Sequence, residues 1–61
     1  MTYNFKKLHQ AQSFTAWLMT KGISFGFSVD GRFHSVFVEA LDDEKEDRAI
    51  AGHAIACGAY L

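Results

Sequence analysis

His53 and Cys57 stand four residues apart, so on a helix they share one face and could offer two ligands to a zinc ion. His9 and His34 could complete a tetrahedral set. A metal of this kind would staple a chain of 61 residues, a length at which a hydrophobic core alone gives marginal stability. The spacing lacks a CxxC or HxxxH pair, however, and the four residues fall in three separate elements. The plainer expectation is a packed Cys57 and histidines at partly wet edges, with no metal and no cofactor.

Cys57 with a histidine and an acid could also sketch a nucleophilic site. A cysteine in the apolar part of a helix, away from its N-terminus, is expected to keep its proton and stay inert. The chain has no glycine-rich phosphate loop, no GxSxG elbow and no HExxH. Asp42, Asp43, Glu44, Glu46 and Asp47 could pair as acid and base, or imitate phosphates in a partner's basic groove. Their place at the start of a helix accounts for them through capping and the helix dipole, and Lys45 and Arg48 dilute the run. No catalytic residues are assigned, and the chain is expected not to be an enzyme.

Phe33 and Phe37 lie on one face of an expected strand, among Ser and Gly. That is the arrangement on which single-strand nucleic-acid binders stack bases. Arg32, Lys6, Lys7 and Lys21 could flank such a platform. The charge opposes it: the formal net charge is −1, the isoelectric point is near 6.2, and the acidic run follows closely. Packing against protein is the first expectation for these rings.

These side chains need elements to hold them. Leu8, Ala11, Phe14, Trp17 and Leu18 recur at helical spacing, and Gly22 stands where helices commonly stop. The pattern predicts a helix over residues 5–21, although Ser13 is a competing cap that would start it at 14. Ile23, Phe25, Phe27 and Val29 alternate with Ser24, Gly26 and Ser28, which predicts a strand over 23–29. Asp30-Gly31 signals a two-residue turn of type I′, and a second strand follows over 32–40. That loop would set Val29 opposite Arg32 and Phe25 opposite Val36; a three-residue loop with a bulge would swap the second strand's faces. Asp42 or Asp43 caps a last helix over 43–60. Ile50, Ala54, Cys57 and Leu61 form its stripe, with the small residues Ala49, Gly52, Ala56 and Ala59 opposite. The expected fold is α+β, a β-hairpin flanked by two helices in the order α-β-β-α, as one domain spanning residues 1–61.

Six phenylalanines, two tyrosines, one tryptophan and an apolar fraction of 49% argue for a folded core. Cys57 is the single cysteine, so no internal disulfide is possible, which suits a cytoplasmic setting. The opening MTYNFKKLHQ has no apolar signal core, and the apolar run from Ala49 to Leu61 is shorter than the roughly 20 residues a bilayer requires. No membrane partner is expected.

The second strand is apolar on both faces, and the last helix is apolar nearly all round. A chain this small has too little else to cover them. The leading expectation is therefore a non-enzymatic protein-interaction module, a regulator or inhibitor of the kind that compact phage or plasmid genomes encode. Its partner would be another protein or a second copy in a homodimer, met through the last helix and the outer hairpin face. Phe33, Phe37, Met19, Ile55 and Tyr60 are the candidate partner-binding residues; Met19 is included because it points about 100° away from Leu18 on its helix. A single-strand nucleic-acid binder is the contending reading and a zinc-stapled module the third.

Overall fold

The computed structural model describes residues 1–39 and 43–60. It contains β1 (Thr2–Phe5), α1 (Leu8–Thr20), β2 (Phe25–Asp30), β3 (Phe33–Val38) and α2 (Glu44–Ala56). The hairpin flanked by two helices is therefore present. A further strand precedes it where the first helix was expected to begin. Thr2-Tyr3-Asn4-Phe5 alternates, and Tyr3 and Phe5 are buried, so the segment serves as a strand with one dry face. The helix starts only at Leu8, with the Gln10 side-chain oxygen accepting the Lys7 N–H at 3.3 Å. Ser13 is no cap: it sits inside α1 and its hydroxyl donates to the His9 carbonyl at 2.9 Å.

The sheet is antiparallel with the order β1-β3-β2, which makes β3 central. Central placement pairs both edges of β3 but does not cover its outer face, where Phe37 stays half exposed. The loop has two residues, as expected, but they are Gly31-Arg32 and not Asp30-Gly31, because Asp30 pairs with Phe33. Gly31 takes φ 58° and Arg32 stays out of the positive region. Positive φ at the first loop residue alone is the type II′ pattern. A turn centred on Asp30-Gly31 would have required it of an aspartate as well. The register moves by two residues, so Val29 faces His34 and Phe25 faces Val38, and each side chain keeps the face assigned to it.

Asp43 caps α2, its carboxylate accepting the Lys45 N–H at 3.0 Å; Asp42 and Leu61 lie outside the described residues. The helix stops at Ala56, short of residue 60. Gly58 takes φ 101°, its N–H donates to the Ile55 carbonyl, and the Ala59 N–H reaches back to Ala54. That pair of bonds is a Schellman motif, and the same motif ends α1 at Gly22. A Cβ on Gly58 would also stand 2.5 Å from the flexible end of the Gln10 side chain, which would have to shift, so the φ of 101° is what calls for glycine here.

The core lies between the sheet and the helices. Tyr3, Phe5, Val36 and Val38 from the strands meet Ala11, Phe14 and Leu18 from α1 and Ile50 and Ala54 from α2. Phe14 is its hub, edge-on to Tyr3 at 5.4 Å and tilted against Phe5 at 5.5 Å. Each large side chain so buried contributes about 1.5–3 kcal/mol. No helix among the described residues is long and apolar enough to cross a membrane.

Candidate functional site

The sheet presents its outer face, turned away from the helices, and two edges: that of β1, where Asn4 pairs with Tyr60, and that of β2, which has no partner among the described residues. Thr2, Asn4, Gly26, Ser28, Asp30, Phe33, Ser35 and Phe37 share the outer face by register. Tyr60 joins them by pairing with Asn4, its N–H donating to the Asn4 carbonyl at 2.6 Å. The Tyr60 ring lies 5.7 Å from that of Phe33, with the Lys6 ammonium 4.8 Å from its centroid. Phe37 stands four residues along β3, half exposed beside Gly26. Between the rings the surface is polar, and Ser35 donates to the Asn4 side-chain oxygen at 2.8 Å.

Of the residues chosen from sequence, the structure brings Phe33 and Tyr60 into contact and sets Phe37 on the same face. Met19 and Ile55 are exposed on α1 and α2, behind the sheet, and do not join them. The proposed zinc ligands are scattered. His9 is exposed on α1, His34 lies on β3, and His53 stacks on Trp17. Among the described residues no three His, Cys, Asp or Glu side chains are grouped to hold a metal ion. Cys57 is partly buried at the end of α2, and burial raises its thiol pKa above the ordinary value.

The edge of β2 has a different character. The α-amino group of Met1 donates to the Val38 carbonyl at 2.7 Å, and the Val38 N–H donates to Met1 at 2.8 Å. Val38 thus directs both backbone groups toward β1. By alternation Val36 and His34 do the same, while Phe37, Ser35 and Phe33 direct theirs toward β2. On β2 the partners are Gly26, Ser28 and Asp30. Phe25, Phe27 and Val29 therefore turn their N–H and C=O groups outward, where no described residue pairs with them. Their side chains lie on the helix side, yet Phe27 is 44% and Val29 61% exposed. The core is built over β1 and β3, and β2 overhangs it. Behind this strip sits His34, 6.4 Å from the Phe27 ring, its buried Nδ1 without a hydrogen-bond partner.

Sequence reasoning missed this edge. A hairpin read alone does not say which strand will be central; the alternation of residues 2–5 was the signal that β3 would gain a second neighbour. Comparison with known protein families, with curated proteins and with solved structures finds no match for this chain.

Proposed function

We propose that this chain is a small non-enzymatic protein-interaction module, a regulator or inhibitor, that engages its partner through the open edge of β2. One observation carries the reading: a six-residue edge strand with outward backbone groups and exposed Phe27 and Val29 is covered by none of the described residues. Natural edge strands are blunted by lysine, proline, a bulge or a covering loop. FGFSVD has neither lysine nor proline, and its one charge comes at the last position. An edge of this kind accepts an extended segment by strand addition, with backbone bonds for affinity and the alternate apolar side chains for selectivity. The lone, partly buried cysteine suits a reducing cytosol.

The test is affinity capture from the source cell with two baits, the natural chain and Phe27→Pro. A protein retained by the first and lost with the second is expected. Capture of the same set by both baits would overturn the reading.

A second reading rests on the outer face, where Phe33, Tyr60, Phe37 and Lys6 are the parts of a base-stacking platform. Asp30 shares that face and the net charge is −1, so few counterions would be released on binding. A salt-dependent mobility shift with single-stranded RNA or DNA, abolished by Phe33→Ala with Phe37→Ala, would place this reading first.

A further inference from the structure

We infer that the β2 edge pairs with the β2 edge of a second copy, antiparallel about a twofold axis at Phe27, to give a continuous six-stranded sheet. The inference rests on the interaction-module reading and names its partner. Three facts select a second copy. First, the outward-turned residues Phe25, Phe27 and Val29 are spaced symmetrically about Phe27. With Phe27 facing its own copy, Phe25 faces Val29 of the other chain, so each of the three can exchange both backbone hydrogen bonds across the axis. Shifting the axis to Ser28 keeps the pairing of outward groups but pushes Phe25 onto Gly31 in the turn and loses its bonds.

Second, the side chains on the helix side match in the same register. Phe27 meets Phe27, and Phe25 meets Val29, so the exposed apolar strips join at the seam. Third, no like charges stand directly opposite each other along the two strands. Asp30, the only charged residue of the strand, faces Ser24. An isologous contact of this sort closes on itself and leaves no edge on β2 for further growth.

The other surfaces offer less. The outer face interrupts its rings with Thr2, Asn4, Ser28 and Ser35, and Phe33 is already covered in part by Tyr60. The exposed side of α2 carries Ala49, Gly52 and Ala56 around Ile55.

Sedimentation equilibrium across micromolar to millimolar concentration tests the inference. The natural chain is expected to populate a dimer. Phe27→Pro should raise its dissociation constant about tenfold or more, because that N–H faces away from β3 and its loss spares the monomer's own ladder. Val29→Lys, which leaves the backbone intact, should do the same. Phe37→Asp, on the opposite face, should leave the dimer unchanged. In a mixed-isotope NMR sample, the Gly26 α-protons should show a contact between chains to that of Ser28. A monomer at every concentration would overturn the inference, as would a dimer dissociated by Phe37→Asp but not by Val29→Lys. A contact between chains from Ser28 to Ser28 would overturn the Phe27 axis. Edge-dependent capture of a different protein by a chain that stays monomeric would end the dimer and keep the wider reading; failure of both would end both.

Discussion

Trp17 of α1 and His53 of α2 stack face to face, their ring centroids 4.1 Å apart and their planes 12° from parallel. Phe14 lies beside the pair, 6.3 Å from each ring. This contact binds one helix to the other over the sheet. Aromatic stacks of this kind contribute beyond the area they bury. His53→Ala is expected to destabilise the fold by about 1 kcal/mol and to alter Trp17 fluorescence in the folded state. Urea unfolding followed by that fluorescence measures both. An unchanged midpoint would mean that the stack holds nothing.

Gly31 carries the positive φ of the hairpin loop. A β-branched residue resists that region, so Gly31→Val should cost about 1 kcal/mol or more. Asp30→Ala, at a residue without positive φ, should cost much less. Equal losses in thermal unfolding would return the turn to Asp30-Gly31.

Tyr3 is 3% exposed, and burial, with the Asp47 carboxylate nearby as the lesser cause, raises its phenol above the ordinary value of 10.0. In alkali the unfolded chain therefore ionises Tyr3 first. The stability this provides is complete below pH 10 or so and is lost as the pH climbs through the raised folded value. Tyr3→Phe should flatten that part of the alkaline decline. Urea midpoints from pH 8 to 11 for both chains make the comparison, and parallel curves would refute it.

Cys57 keeps its proton more firmly than a free thiol, through burial at the end of α2. Labelling by a disulfide reagent at pH 8 should run several-fold slower on the folded chain than on the denatured one. Equal rates would show that the thiol is open to solvent and ordinary.

What the sequence made legible was whatever depends on local pattern. Phe25, Phe27 and Val29 alternate, and the faces of the hairpin follow from that alone. Leu8, Ala11, Phe14 and Leu18 mark α1 by their spacing, and Gly22 marks its end. Besides the turn, placed one residue early, two elements were misread. Gly58 carries the same stop signal as Gly22, but the run of apolar residues around it suggested a longer helix. Thr2 to Phe5 was too short to declare itself beside a strong helical stripe, and only tertiary pairing with β3 makes it a strand. That omission also hid the candidate site, because it is β1 that covers β3 and leaves β2 as the hairpin strand with an open edge. Phe33 was chosen with Phe37 as an aromatic pair on one strand face and Tyr60 as an uncovered apolar residue, and nothing in the spacing of Phe33 and Tyr60 foretold that they would touch.

The distant pairing of β1 also sets an order in time. The hairpin closes across two residues and can form in about 1–10 μs, whereas even the nearest β1 pair, Phe5 with His34, must close a loop that holds all of α1 and β2. Until that happens β3 has a bare side of its own, so a hairpin that forms ahead of β1 exposes both of its margins for an interval. Crowding or slow docking of residues 2–5 would lengthen that interval. The first strand thus guards the hairpin's second margin, and it has to arrive before a stranger does.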